Sequence, residues 1–166
     1  MKFADNEHRK FFEDMVQKTG TFSDNYRMAL FYVLGLLPDT RRWINDIYDF
    51  KEKAIKFSAL KKPWQTSGNI RVTRMAFNLY NGFEGKVGNR KIDDPAKYTP
   101  YWLFDTMNAD YFLEAIKLLN GVYKFQTQTV SADNDSIKHQ IQTLSADIES
   151  TKKEGRLSDT RTEPTL

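Results

Sequence analysis

The sequence contains no cysteine among its 166 residues. Disulfides and thiolate metal sites are therefore excluded, and the composition suits a cytoplasmic setting. Long hydrophobic runs are missing as well: the longest has ten residues and is broken by Gly35, whereas a membrane-spanning helix needs about 20. The first residues turn polar at once, without the apolar segment of a signal peptide. We expect a cytoplasmic protein with no membrane partner.

Signatures of catalysis and cofactor binding are also missing. The two histidines, His8 and His139, lie far from each other and from any candidate nucleophile, and we place His8 on the exposed side of the first helix. Acidic pairs do occur, and Asp46 with Asp49 could bind a cation or transfer protons if a cleft buried them. Pairing of these carboxylates with nearby arginines is the alternative. We expect no catalytic residue, no cofactor and no metal.

Aromatic residues, in contrast, are abundant. They make up 14% of the chain, with twelve Phe, eight Tyr and three Trp, and they supply enough apolar area for one core. The length also favours one domain. We therefore predict a compact all-α domain over residues 1–125 and a polar tail over residues 126–166.

Apolar spacing predicts six to seven helices in the domain. Their ranges are 6–18, 25–36, 41–48, 50 or 51 to 60, 69–83, 101–107 and 109–119. The second helix is apolar on nearly every face, so we expect it at the centre of the core. Residues 61–68 and 84–98 are predicted as loops because Gly and Pro recur there, and no segment shows a convincing strand pattern.

Positive charge is concentrated in the middle of the chain. The formal net charge is only +3, but residues 41–97 hold thirteen Lys or Arg against six Asp or Glu. Such a bias favours acidic partners, nucleic acid among them, through long-range attraction. A lysine-rich surface that serves solubility alone is the other interpretation.

The helix predicted at 69–83 carries the best candidate binding residues, on the side opposite its core face. The candidates are Arg71, Arg74, Asn78 and Asn81, with Arg41 and Arg42 nearby in sequence. Arginine offers a planar fork to phosphate or carboxylate, and asparagine offers a donor and an acceptor. In the alternative interpretation, the asparagines bond a neighbouring loop and the arginines pair with carboxylates such as Asp105.

The tail has apolar residues at heptad spacing, within a possible helix over residues 133–152. They include Ile137, Ile141, Leu144 and Ile148. A parallel dimeric coiled coil would use this seam, although it is shorter than three heptads. A helix folded back on the domain, or a largely disordered tail, are the alternatives. We expect disorder after residue 155, and either a monomer or a homodimer.

Three parts of the sequence together resemble a known family. They are NEHRKFF at 6–12, TRRWINDIYDFK at 40–51 with WQTSG at 64–68, and RMAFNLYN at 74–81 with YTPYWLFD at 98–105. The chain resembles, over about residues 3–123, a family of small helical proteins of unknown function from Gram-positive bacteria and their mobile elements. The resemblance implies a helical domain and an accessory or anti-defence role on a phage or integrative element. It implies no activity.

The sequence as a whole predicts a non-enzymatic binding or accessory protein. Its positive region, residues 41–97, would engage an acidic partner, either a protein or a nucleic-acid-containing complex. Two other functions stay open. One is a structural or assembly protein that dimerises through the C-terminal helix, and the other is a small metal-assisted hydrolase that uses Asp46 and Asp49.

Overall fold

The computed structural model of the chain describes residues 1–123, and helices dominate them. The α-helices are α1 Asn6–Thr19, α2 Asn25–Leu34, α3 Pro38–Arg42, α4 Ile44–Ile47, α5 Ser67–Asn81, α6 Pro100–Leu103 and α7 Ala109–Leu119. Two small antiparallel hairpins pair β1 Tyr48–Asp49 with β2 Ala54–Ile55, and β3 Lys86–Val87 with β4 Arg90–Lys91. Short 3-10 helices span Phe57–Lys61 and Pro95–Tyr98. The predicted helical class is confirmed.

Helix α2 is the centre of the core. Every residue from Met28 to Leu34 is at most 1% exposed, because α1, α5 and α7 pack around it. A helix that is apolar on all faces can be stable in water only when it is surrounded in this way. Each of its large apolar side chains stabilises the fold by about 1.5–3 kcal/mol. The predicted central position of this helix is confirmed.

Side-chain caps and glycines set the ends of the longer helices. Asp5, Asp24 and Thr66 each accept a backbone N–H from three residues further on, at 2.6, 3.0 and 3.2 Å. Such caps satisfy backbone donors that the first turn leaves free. Gly20 and Gly82 end α1 and α5 with φ angles of 63° and 72°, a region that favours glycine. These caps explain why α1, α2 and α5 begin close to their predicted positions.

The predicted exposure of His8 is wrong, since its side chain is 0% exposed. Its Nε2 lies 2.8 Å from the Tyr32 carbonyl oxygen, and its Nδ1 accepts the N–H of Ala4 at 3.1 Å. These two partners place the ring proton on Nε2. Burial lowers the pKa of His8 below its usual value of 6.5. The residues before α1 therefore cover a side chain that the helix pattern alone places in solvent.

The helix predicted from 50 or 51 to 60 is wrong. Asp49 Oδ1 accepts the backbone N–H groups of Lys51 and Glu52, at 3.0 and 3.1 Å, and this turn competes with a helix. Lys53 then adopts a left-handed φ of 53°. The chain consequently forms the β1–β2 hairpin, and the apolar residues that follow enter a 3-10 helix.

Two other predicted helices differ from the structure in their extent. The helix predicted at 41–48 begins earlier and is interrupted at Trp43, whose φ and ψ of −99° and 25° separate α3 from α4. The helix predicted at 101–107 is a single turn. It ends where Thr106 donates its N–H to the Phe104 carbonyl oxygen at 2.8 Å, which reverses the chain.

The segment predicted as a loop at 84–98 lies on the surface but is partly regular. It contains the β3–β4 hairpin, in which Lys86 faces Lys91 and Val87 faces Arg90. All four strand residues are exposed. The hairpin is thus a projecting two-stranded ribbon whose side chains contribute nothing to the core.

Several predictions lie outside the described residues. These are the domain boundary at 125, the helix at 133–152, the disorder after 155 and the heptad residues Ile137, Ile141, Leu144 and Ile148. Within residues 1–123, no helix is both long and apolar enough to cross a membrane.

Candidate functional site

The predicted basic face of α5 is not one open surface. Arg74 is only 7% exposed, and its Nε and Nη2 donate to Asp93 Oδ2 and Oδ1 at 2.6 and 2.8 Å. Burial opposes ionisation of Asp93, but the hydrogen bonds from Arg74, the Asp94 backbone and Tyr98, together with the charge of Arg74, outweigh it and hold the pKa of that carboxyl below its usual range. Arg74 therefore joins α5 to the chain after β4, in keeping with the alternative interpretation that pairs the arginines with carboxylates.

The two asparagines of the predicted face close the C-terminal end of α5. Asn78 Nδ2 donates to the Phe83 carbonyl oxygen, and Asn81 Oδ1 accepts the Phe83 N–H, both at 3.2 Å. This is the loop-bonding arrangement that the sequence left open. Both amides thus have structural partners already.

Three cations surround the indole of Trp102. The charged groups of Arg71, Arg74 and Lys97 lie 4.5, 4.9 and 5.1 Å from its ring centroid. We call these four residues the cation–indole cluster. Attraction between a cation and the face of an aromatic ring contributes about 0.5–1 kcal/mol at exposed sites and more where water is excluded. The cluster holds α6 and the second 3-10 helix against α5.

Arg71 has a weaker carboxylate partner than Arg74 does. Its Nη2 lies 3.7 Å from Asp105 Oδ2, and the Asp105 side chain is 80% exposed. An ion pair with so exposed an acid contributes little. The Arg71 side chain is itself 18% exposed, so part of it remains accessible at the surface.

The exposed side chains of the β3–β4 hairpin carry positive charge without a balancing acid. We call Lys86, Arg90 and Lys91 the basic ribbon. None of the three forms an ion pair with a carboxylate of residues 1–123. Lys86 and Lys91 are directly opposite each other, and like charges in that position destabilise a strand pair.

The base of the basic ribbon is fixed to the domain. Gly85 accepts the backbone N–H groups of Ile92 and Asp93, at 2.8 and 2.9 Å, and Asp93 in turn binds Arg74. Gly85 has a φ of 93°, and a Cβ there would lie 3.0 Å from the Asp93 carbonyl oxygen. Glycine is therefore needed at this position. The ribbon projects from a rigid support that is shared with the cation–indole cluster.

Arg41 and Arg42 belong to a different part of the surface. Arg41 Nη1 donates to the Gly35 carbonyl oxygen at 2.7 Å. The Arg42 guanidinium lies 5.2 Å from the ring centroid of Trp43, which stacks on Trp64. Within residues 1–123, no hydrogen bond, ion pair or ring contact joins either arginine to the cation–indole cluster. The six predicted binding residues therefore do not form one network of contacts.

The carboxylates proposed for a hydrolase both have structural partners. Asp46 Oδ2 accepts the Trp64 indole N–H at 3.3 Å, and its other oxygen lies 3.4 Å from Lys62 Nζ. The backbone N–H of Glu52 is the largest factor that lowers the pKa of Asp49. No group of three His, Cys, Asp or Glu within residues 1–123 has the arrangement of a metal site.

Comparison with known proteins gives a family but no activity. The family described as "Family of unknown function (DUF6075)" matches residues 1–136, well over half of the chain. No curated protein and no solved structure matches. The resemblance to an uncharacterised family is thereby confirmed, and function has to be argued from the surface.

Proposed function

Since the chain belongs to the DUF6075 family, whose description names no activity, we propose from its surface that it is a binding protein for nucleic acid. The basic ribbon would make the main contact, and Arg71 and Lys97 of the cation–indole cluster would extend it. This proposal keeps the acidic partner that the sequence predicts. It moves the contact from the exposed face expected on α5 to the hairpin beyond that helix.

The observation that carries the proposal is the pair of lysines facing each other in the ribbon. Lys86 and Lys91 repel each other, and the third cation, Arg90, adds to the same field. A ligand with closely spaced negative charges is attracted to both lysines and offsets the repulsion between them. The phosphate backbone has that spacing, since duplex DNA carries one negative charge per about 1.7 Å of helix axis.

The form of the ribbon also supports a nucleic-acid partner. A two-stranded β-ribbon is narrow enough to enter the major groove of duplex DNA. Tyr101, which follows Pro100 at the start of α6, is 89% exposed and offers a flat ring on which an unpaired base can stack. Positive charge and an exposed ring thus belong to elements that Asp93, Arg74 and Trp102 hold together.

The test is binding of fluorescently labelled nucleic acid by the full chain, measured by anisotropy between 50 and 200 mM salt. The probes are a duplex DNA and a single strand of about 20 nucleotides, a length that covers two turns of the duplex. The test variant is Lys86→Ser/Arg90→Ser/Lys91→Ser. The matched control is Lys10→Ser/Lys51→Ser/Lys61→Ser, which removes three exposed cations from other parts of the surface.

The proposal predicts that only the ribbon variant loses affinity. The slope of log K against log salt should fall in magnitude by roughly 2–3, because each phosphate contact contributes about 0.9. An equal loss in both variants would show a non-specific charge effect and would overturn the ribbon as the site.

An acidic protein partner would give a different outcome. The wild-type chain would then fail to bind either probe at 50 mM salt, and affinity capture from the host would recover a partner that resists nuclease and is lost in the ribbon variant. An accessory or anti-defence role on a mobile element rests on the resemblance of the sequence alone, and the identity of a captured partner would test it.

A further inference from the structure

A small cavity lies away from the ribbon, between the end of α1, the first turn of α2 and the β1–β2 hairpin. It has a volume of about 160 Å³ and is lined by Lys18, Thr19, Arg27, Tyr48, Phe50 and Lys53. Pockets for drug-sized ligands occupy about 300–1,000 Å³, so this one suits a single functional group. Arg27 also lines a neighbouring cleft of about 460 Å³.

The cavity is cationic. Lys18 and Lys53 form no ion pair with any carboxylate of residues 1–123. Lys18 Nζ lies 4.1 Å from the ring centroid of Phe50, which places it at the cavity wall. The third cation, Arg27, has one acidic neighbour, Asp24, at 3.3 Å. The lining residues thus include three cations and no carboxylate, and the nearby Asp49 pairs with Lys56 instead, so the cavity wall suits an anion.

Tyr48 supplies a second and independent indication of a ligand. The residue is only 1% exposed, and its hydroxyl is buried without a hydrogen-bond partner in the described part of the chain. Buried hydroxyls almost always have a partner. Tyr48 lines the cavity together with Arg27, Lys18 and Lys53, so the unpaired donor belongs to a residue of the cationic wall.

Lys53 adopts a left-handed backbone conformation, which residues other than glycine rarely adopt. It is the one residue other than glycine with a positive φ, at 53°, among residues 1–123. Glycine or asparagine fits such a turn more easily. The Tyr80 hydroxyl donates to the Lys53 carbonyl oxygen at 2.7 Å and so fixes this turn beside the cavity. Outliers of this kind cluster at ligand sites.

We propose that this cavity binds a phosphate group, either as inorganic phosphate or as the end of a small phosphate ester. Arg27 would present its guanidinium fork, Lys18 and Lys53 would contribute point charges, and the Tyr48 hydroxyl would donate a hydrogen bond. The organic part of an ester would extend past Arg27 into the larger cleft, where Tyr26, Phe57 and Tyr80 offer aromatic surface. The site is separate from the basic ribbon and does not depend on the proposed nucleic-acid binding.

Calorimetric titration of the full chain tests this proposal, with inorganic phosphate and phenyl phosphate as the two probes and ionic strength held constant with chloride. Saturable binding is expected. Equal affinity for both probes would identify free phosphate as the ligand, whereas tighter binding of phenyl phosphate would identify an ester. No saturable binding of either probe would overturn the site.

Two charge-removing variants and one control locate the binding. Lys53→Gly removes a charge and also relieves the left-handed backbone, so it stays folded, and Lys18→Gln removes the second charge. Each is expected to weaken phosphate binding roughly tenfold, the effect of one charge-assisted hydrogen bond. Lys51→Gln is the matched control, because Lys51 lies in the same turn but outside the cavity. An equal loss in Lys51→Gln would overturn the proposed contacts.

Tyr48→Phe separates a ligand contact from a structural role. Without phosphate this variant should melt at a higher temperature than the wild type, because it removes an unpaired buried hydroxyl. With phosphate its melting temperature should rise by less than that of the wild type. If phosphate raises the melting temperature of the variant and of the wild type equally, the hydroxyl does not contact the phosphate.

Discussion

Gly35 is a single residue on which the packing of the N-terminal segment depends. It follows α2 with a helical φ of −70°, and a Cβ there would lie 2.7 Å from His8 Cδ2 and 3.1 Å from Phe11 Cδ1. Gly35→Ala should therefore destabilise the protein by about 1–3 kcal/mol through overpacking, although alanine suits the backbone better than glycine. Urea unfolding followed by circular dichroism measures this change.

Gly68→Ala is the matched control for that substitution. Gly68 lies in the first turn of α5, and the nearest atom to an added Cβ would be Thr66 Oγ1 at 3.9 Å. Because no clash arises, the replacement should stabilise the folded protein by about 0.4–1 kcal/mol, since alanine lowers the conformational entropy of the unfolded chain. Similar effects of the two alanines would contradict the close approach of His8 to Gly35.

His8 should make the stability of the fold depend on pH. The unfolded chain binds a proton at His8 near pH 6.5, whereas burial lowers the pKa in the folded state. The unfolded state therefore holds more protons below pH 6.5, so stability is fully present above that pH and falls as the pH drops towards the folded pKa. Urea unfolding at intervals between pH 5.5 and 7.5 measures the slope.

Replacement of each histidine identifies the group responsible. His8→Gln should lower stability at pH 7.5, because it disturbs the bonds to Ala4 and Tyr32, and it should flatten the slope. His139→Gln should leave the slope as in the wild type. If His139→Gln flattens the slope and His8→Gln does not, the assignment of the pH dependence to His8 is wrong.

At the scale of elements, the ion pair between Arg74 and Asp93 joins α5 to the segment that follows the basic ribbon. The two side chains are 9% and 14% exposed, so removal of one partner leaves the other charge largely buried. Arg74→Met should cost about 2–4 kcal/mol. Arg71→Met, which removes a pair with the exposed Asp105 and the contact with the Trp102 ring, should cost less, about 0.5–2 kcal/mol. Equal costs in thermal unfolding would contradict the structural role of Arg74.

The elements that the sequence predicts well are those whose signals are local. Helix α5 has a cap at Thr66, apolar residues at helical spacing and a terminal Gly82, so both its ends lie near their predicted positions. The sequence does not predict the β1–β2 hairpin, because the apolar residues around it also fit a helical period. The Asp49 carboxylate favours the hairpin over a helix by accepting the backbone N–H groups two and three residues further on.

The sequence also contains a signal for the hairpin that carries the basic ribbon. Gly88 and Asn89 form a two-residue connection between β3 and β4, and a Gly-Asn pair at that spacing indicates a tight hairpin. The flanking strand residues are polar, so the apolar alternation that normally accompanies a hairpin is missing. The sequence therefore predicts a loop over residues 84–98.

Long-range pairs in the candidate site are what the sequence could not predict. Helical spacing places Arg71 and Arg74 on one side of α5, but only the fold brings Asp93 to Arg74 and Trp102 to both. A residue 19 positions away has no periodic relation to the helix that it meets. The charge of the region was predictable from composition, and the partner of each charge was not.

At the scale of the whole molecule, residues 1–123 contain one apolar core. Within that range its buried apolar residues run from Phe12 to Leu118. A chain of residues 1–125 should therefore fold alone and keep the thermal unfolding transition of the full chain, with a melting temperature within a few degrees, since stability follows apolar burial. Calorimetry of both chains measures this. Loss of a cooperative transition in the shorter chain would contradict a self-sufficient domain.

The same pair of chains tests assembly through the tail. If the heptad residues Ile137, Ile141, Leu144 and Ile148 form a parallel dimer, light scattering will give twice the chain mass for the full protein and the single mass for residues 1–125. Equal single masses would leave the protein a monomer and end the assembly hypothesis.

The exposed position of the β3–β4 hairpin has a consequence for how this protein can vary. Its four strand residues are exposed and add nothing to the core, and the contacts that fix the hairpin lie at Gly85 and Asp93. Replacement of residues 86–91 by another hairpin of the same length should therefore leave the helices unchanged. If the basic ribbon makes the proposed contact, partner choice and fold stability are set by separate stretches of sequence, so one can diverge between relatives while the other is retained.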